Sequence, residues 1–279
     1  LRLGVTGLSR AGKTVFITSL VANLMDRGRM PQLRAAAEGR IEAAWLQPQP
    51  DDAVARFAYE EHLAALTAPE PRWPEGTRRI AQLRLSLRLA PDGLLAGLRR
   101  PRTLHLDIVD YPGEWLLDLA LLGQDYDAWS EAALRKAPRR PGGAAFLDRL
   151  RGLDPAAPSD EPTLRALAAA YAAHLEQARA AGFADLTPGR FLLPGDLEGS
   201  PALTFAPLPP APDAPRRSLR RECARRFGAY RRLVVTPFFR DHFARIDRQV
   251  VLVDVLGALA RGPRAFDDLR EAMAGILSA

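Results

Sequence analysis

The run Gly7-Leu-Ser-Arg-Ala-Gly-Lys-Thr14 sets two glycines, an ammonium and a hydroxyl at a spacing suited to holding phosphate. Gly7 and Gly12 let the backbone fold so that successive N–H groups point inward, Lys13 reaches the terminal phosphate oxygens, and the Thr14 hydroxyl completes a Mg²⁺ shell. Ser9, Arg10 and Ala11 supply the rest of the loop, with the Arg10 side chain free either to touch phosphate or to face solvent. Val15 opens an amphipathic helical run to Met25, whose positive dipole end adds to the same anion site. An apolar run (Leu1, Leu3, Val5) precedes the loop, so strand, loop and helix follow in the order the chemistry needs.

A second group is Asp110-Tyr-Pro-Gly113, at the end of a strand pattern in which Leu104, Leu106 and Ile108 share one face. An acidic residue at the C-terminal end of such a strand holds Mg²⁺ through water, opposite the Thr14 hydroxyl. The Gly113 N–H is then placed to sense a terminal phosphate. Thr77, in the loop before the preceding strand, is a further Mg²⁺ ligand candidate, set against the ordinary frequency of loop threonines. Asp107 and His105, mid-strand, read as structural polar groups satisfied by their neighbours.

These residues need a scaffold. The alternation of Leu83, Leu85, Leu87 and Leu89 predicts a strand over 80–89, and a turn over 94–102 returns the chain as the Asp110 strand, its antiparallel neighbour. The apolar run 250–256 predicts a buried parallel strand and 265–277 a helix. With strand 1 as 1–6, strand 2 as 80–89, strand 3 as 103–109 and strand 4 as 250–256, the expected sheet order is 2-3-1-4.

Two segments exceed this minimum. Residues 29–75 carry helical patterns over 33–46 and 51–66, then a loop through Trp73. Residues 114–248 form a larger, mainly helical insertion, with helices over 116–122, 144–150, 163–181 and 219–232. The proline-rich stretch 194–215 within it predicts an extended surface loop. Domain boundaries follow: a nucleotide-binding core of 1–113 and 249–279, and an insertion of 114–248.

The chain has 279 residues, 47% hydrophobic and 26% charged, enough for a sizeable core in one or two domains. A single cysteine, Cys223, excludes an internal disulfide and points to a reducing compartment, the cytoplasm. The longest apolar stretches carry Asp118 and Asp254, so no transmembrane segment is expected. The net charge is +6, and Lys13 and Lys136 are the only lysines. Scattered arginine clusters with few interleaved aromatics make nucleic acid an unexpected partner and leave room for peripheral contact with an anionic membrane. The chain opens without Met and directly in a strand pattern, so the natural N-terminus is expected upstream.

Residues 7–20, Asp110-Tyr-Pro-Gly-Glu-Trp-Leu-Leu-Asp-Leu119 and 239–254 resemble the YcjX-like stress-protein family along nearly the whole chain. That resemblance implies an α/β fold with a Ras-like P-loop NTPase sheet and a large helical insertion. It also implies GTP or GDP bound with Mg²⁺, a bacterial cytoplasmic setting and a link to stress response. Thr77 then corresponds to a switch I threonine, and Arg78 or Arg79 to a candidate arginine finger in cis. Family members continue beyond residue 279 into a Thr-Lys-x-Asp guanine-recognition motif that this chain does not contain, so a C-terminally truncated sheet is expected. Glu114 stands where many Ras-like GTPases carry the glutamine that orients water; with Lys13 it is the candidate catalytic pair, although a carboxylate repels a terminal phosphate. His242 has no metal-spaced partner and is expected to pack or cap.

Three readings compete: a slow switch GTPase, a nucleotide-dependent binding module that barely hydrolyses, and a P-loop ATPase or small-molecule kinase. In the first two, an unidentified protein effector is expected on the helical insertion, with Trp115 reporting its state.

Overall fold

The computed structural model describes residues 1–8, 11–26, 30–74, 76–77, 79–91 and 100–277. The chain divides into two compact units, Leu1–Gly113 with Arg245–Val253, and Glu114–Ala244 with Asp254–Ala279.

The first unit is an α/β layer: β1 (Arg2–Gly7), α1 (Lys13–Met25), α2 (Arg34–Ala37), β2 (Ile41–Gln47), β3 (Ala55–Arg56), α3 (Tyr59–Thr67), β4 (Ala81–Leu89), β5 (Arg102–Asp110) and β6 (Arg248–Leu252). The sheet order is β2-β4-β5-β1-β6, with β3 beside β4. β1 runs parallel to β5 and β6, while β4 is antiparallel to both β5 and β2. The leucines of β4 at 83, 85 and 87 join Val5, Leu106 and Ile108 beneath Ile17, Val21 and Leu24 of α1, all of them buried. On the alternate positions the strands carry polar pairs. Arg84 grips Asp107 at 2.5 and 2.8 Å. The Ser86 hydroxyl meets the His105 Nδ1 and the Gln47 Oε1, each at 2.8 Å. Asp107 and His105 are therefore structural partners, not a catalytic pair.

Three local expectations are corrected here. Residues 33–46, expected to be helical, form only the four-residue α2 and then the strand β2, because Gly39 at φ +67° ends the helix and the next residues pair with β4. The helix expected over 51–66 begins at Tyr59, after the short β3 has paired with β4. The strand expected over 250–256 stops at Leu252. The Asp254 carboxylate accepts the Gly257 N–H at 2.8 Å and starts a helix instead. Of the turn expected over 94–102, residues 94–99 lie outside the described residues.

The second unit is helical: α4 (Gly113–Leu117, whose first residue ends the first unit), α5 (Tyr126–Lys136), α6 (Gly143–Arg151), α7 (Glu161–Ala180), α8 (Leu219–Tyr230), α9 (Thr236–Asp241), α10 (Val255–Ala260) and α11 (Pro263–Leu277). Its centre is aromatic, with Trp129 stacked on Phe227 at 5.0 Å and edge-on to Phe205 and Tyr171. The proline-rich stretch 194–215, expected as an extended surface loop, has many exposed residues but turns inward at Phe205, Ala206 and Leu208, which are fully buried. It forms two 3-10 turns, Gly195–Leu197 and Pro201–Leu203, and side chains satisfy carbonyls of its buried part: the Tyr126 hydroxyl donates to Ala206 O and Ser130 to Leu208 O, both at 2.8 Å. Residues 254–279, expected with the nucleotide-binding core, cluster here. Asp268 of α11 accepts the Ala184 and Asp185 N–H groups at 2.6 and 2.8 Å and pairs with Arg140, so α11 is fastened within this unit.

Candidate nucleotide-binding site

The site grows from the end of β1. Gly7, at φ +147°, lies so close to β6 that a Cβ there would sit 2.4 Å from the Leu252 carbonyl oxygen. Gly12, at φ +84°, adopts the left-handed turn that feeds α1, and among the described residues no side chain caps the first turn of that helix. The N–H groups of Lys13, Thr14 and Val15 thus open α1 without a capping side chain, the arrangement that receives an anion. Ser9 and Arg10, expected in the loop, lie outside the described residues. The Ala11 N–H turns back onto Leu8 O at 3.2 Å.

Lys13 is 7% exposed, and its Nζ donates to Gly7 O at 2.8 Å and to Leu8 O at 3.4 Å. The ammonium is thereby folded over the loop that a phosphate would occupy. Thr14 is buried beside it, its carbonyl accepting the Thr18 hydroxyl at 2.8 Å.

Asp110, at the C-terminal end of β5, is 2% exposed. The Thr77 hydroxyl donates to its Oδ2 at 2.6 Å, while its Oδ1 is buried without a hydrogen-bond partner among the described residues. Burial pushes this carboxyl up to about 6, against the opposing pull of the Thr77 hydrogen bond and the Lys13 charge. A half-satisfied buried carboxylate is costly unless something completes it. A hard cation does so: Asp110, Thr14 and Thr77 offer one carboxylate and two hydroxyls, leaving positions for phosphate and water oxygens as Mg²⁺ requires. Among the described residues no cluster of three or more His, Cys, Asp or Glu forms a metal cage. The donor set therefore fits a metal held jointly with a phosphate, not a self-contained protein site.

Gly113 closes the arrangement. A Cβ on it would lie 2.2 Å from Gly7 O and 2.8 Å from Leu8 Cα, so the Asp-x-x-Gly turn rests on the phosphate-binding loop with only glycine able to fit. Spacing alone gives no sign of this backbone-to-backbone approach.

Glu114, the other catalytic candidate, belongs to the second unit. It is 5% exposed, and Arg179 of α7 approaches its Oε1 at 3.5 Å. Sequence reasoning missed this partner, because 65 residues separate the two and no local pattern joins them. Trp115 is buried, with its indole N–H on Leu193 O at 2.8 Å and the Arg190 guanidinium over its ring at 3.2 Å. His242 sits by the Phe238 ring at 6.1 Å. Of the finger candidates, Arg78 is outside the described residues and Arg79 is exposed. Among the described residues no helix is long and apolar enough to cross a membrane.

The Ras-like GTPase YcjX of Escherichia coli (strain K12) is 43% identical over 291 residues, which cover 99% of this chain and 63% of that protein. The Ras-like GTPase YcjX of Shewanella oneidensis is 40% identical over 304 residues, 99% of this chain and 62% of that protein. The chain spans about three-fifths of the length of these curated relatives. The model of the YcjX-like family, DUF463, matches residues 1–279, and the chain belongs to that family.

Proposed function

We propose that this chain is the phosphate- and Mg²⁺-binding part of a guanine-nucleotide switch that hydrolyses GTP slowly to GDP. The observation that carries the reading is the buried Asp110 carboxylate, bonded to Thr77, half-satisfied, and within the field of Lys13 at the mouth of the loop. On this reading Lys13 exchanges its hold on Gly7 O for the β and γ phosphate oxygens, and the first amides of α1 take the remaining charge. Thr14, Asp110 and Thr77 hold Mg²⁺, which when bound neutralises charge building on the transferring phosphoryl group. Water attacks the γ-phosphorus, the bond to the β–γ bridging oxygen breaks, and GDP and phosphate leave. The seating of Gly113 on Gly7 and Leu8 supports a role for its N–H in following the γ-phosphate.

The guanine preference comes from the names of the relatives, and the stress-response and cytoplasmic setting from family resemblance. The helical unit is the proposed effector-binding part, with a domain division near Gly113. A second reading, nucleotide binding with negligible hydrolysis, is favoured by Glu114, whose carboxylate is engaged by Arg179 and cannot donate as the usual glutamine amide does. Turnover of GTP and ATP by the full-length protein, beside Lys13→Ala, tests these readings. GTP turnover lost in the variant supports the switch GTPase. Tight GTP binding without turnover favours the second reading, and preference for ATP removes the guanine assignment.

A further inference from the structure

Residues 211–241 hold nine arginines against Asp213, Glu222 and Asp241, an excess of positive charge as large as the net +6 of the whole chain. Within the helical unit these arginines are of two kinds. Arg220, Arg226 and Arg231 turn inward and fasten neighbouring segments: Arg220 bonds Asp127 at 2.6 Å, Arg226 bonds Glu161 at 2.6 Å, and Arg231 donates to Leu122 O at 2.8 Å. Arg221, Arg225, Arg232 and Arg240 are exposed.

The exposed four share one side of a continuous helical segment. α8 passes directly into a π-helical turn, Arg231–Val235, and then into α9. Positions 221, 225 and 232 fall close to whole turns of an α-helix, whereas position 240 would drift about 100° away from them. The wider π turn takes back most of that drift, which keeps Thr236 and Arg240, both exposed, in line with Arg221. Leu233, beside Arg232 in the same turn, is 63% exposed. Arg225 is held by Glu222 at 2.6 Å, Arg240 by Asp241 at 2.7 Å, and Arg221 donates to Pro212 O at 3.1 Å. Exposed ion pairs of this kind contribute little, so other anions can replace the carboxylates.

From this geometry we infer that the face running from α8 to α9 docks on an anionic phospholipid bilayer, its arginines on headgroup phosphates and Leu233 reaching past them. Charge complementarity selects an anionic partner, and guanidinium groups take phosphate in a planar fork. An exposed leucine within the charged stripe selects a lipid surface over nucleic acid, which is held by stacking on exposed aromatic rings. Here Phe227, Tyr230 and Phe238 are buried and Phe239 is partly so. The inference is independent of the nucleotide reading.

The test is cosedimentation of the full-length protein with vesicles of phosphatidylcholine, alone or mixed with phosphatidylglycerol. Wild type is expected to bind the mixed vesicles, to bind the neutral ones far less, and to be released by salt. Combining Arg225→Gln with Arg232→Gln should weaken binding to the mixed vesicles about tenfold or more, from roughly fivefold for each arginine near such a surface. Leu233→Gln should weaken it at least about threefold and leave its salt dependence unchanged. All three side chains are exposed, and equal melting temperatures will show that the variants fold as wild type does. Wild type that ignores the mixed vesicles or binds both kinds equally overturns the inference. So does undiminished binding by the arginine variant or by Leu233→Gln, and so does an arginine variant that loses RNA while keeping the vesicles.

Discussion

Lys13, Thr14 and Asp110 make separable demands on the proposed site. Lys13→Ala removes a charge aimed at phosphate, so nucleotide affinity should fall by about a hundredfold or more in calorimetry on the full-length protein. The melting temperature without ligand should change little. Thr14→Ala and Asp110→Ala should weaken triphosphate binding strongly with Mg²⁺ and weakly in EDTA. An identical loss in both buffers would remove the two residues from the metal shell. Asp118 offers a pH test away from that shell. It is buried in the second unit, accepting the Gly189 N–H at 2.8 Å and the Tyr230 hydroxyl. Burial pushes its carboxyl up to about 6 against hydrogen bonds from Tyr230 and Gly189 that pull the other way. A carboxyl raised on folding contributes stability that is full below its unfolded value near 4 and lost as pH rises through about 6. Asp118→Asn cannot ionise, so its stability relative to wild type should improve by up to about 3 kcal/mol between pH 4 and pH 7.5 in urea unfolding. A flat difference across that range would show that folding does not raise the Asp118 carboxyl.

At the start of α4, Glu114 and Trp115 are held by the segment around 189–195. On the proposed switch reading, a shift of Gly113 toward a γ-phosphate would draw on its chain neighbours Glu114 and Trp115. Segments of this kind reorganise between nucleotide states in switch proteins. Hydrogen exchange of residues 114–130 should therefore differ between GDP and a non-hydrolysable GTP analogue, and equal protection would leave α4 a passive strut. Gly189→Ala places a methyl on the Glu114 carbonyl and should cost about 2 kcal/mol or more in chemical unfolding. The same elements mark the limits of sequence reading. The β4–β5 pair was legible because alternating leucines and a short connection allow little else. The strand β2 was not, because Ile41-Glu-Ala-Ala-Trp-Leu-Gln has no clean period and pairing with β4 decides its form. Gly39 and the Asp254-x-x-Gly257 cap were readable signals of a helix end and a helix start that periodicity overrode.

Across the chain, the two units depend on contacts distant in sequence. Asp268 of α11 binds Arg140 and the amides of Ala184 and Asp185, more than 80 residues away. Asp268→Ala would leave two N–H groups unmatched and the buried Arg140 guanidinium with Asp185 at 3.6 Å, a loss of about 2 to 4 kcal/mol and a clear fall in melting temperature. GDP affinity of the folded fraction should persist, because the phosphate-binding loop lies in the other unit; its loss would make nucleotide binding inseparable from the helical unit. What the amino-acid order determined by itself is the local chemistry: Gly7, Gly12, Lys13 and Thr14 lie within eight residues, and Asp110 and Gly113 within four, so their spacing alone specifies a phosphate loop and an acidic turn. The tertiary structure decided everything that requires distant residues to meet: the Thr77–Asp110 bond, the seating of Gly113 on Gly7, the Arg179–Glu114 pair and the place of α11. Local sequence encodes backbone preference and side-chain chemistry, whereas these contacts depend on how strands and helices pack, to which residues far apart along the chain contribute jointly.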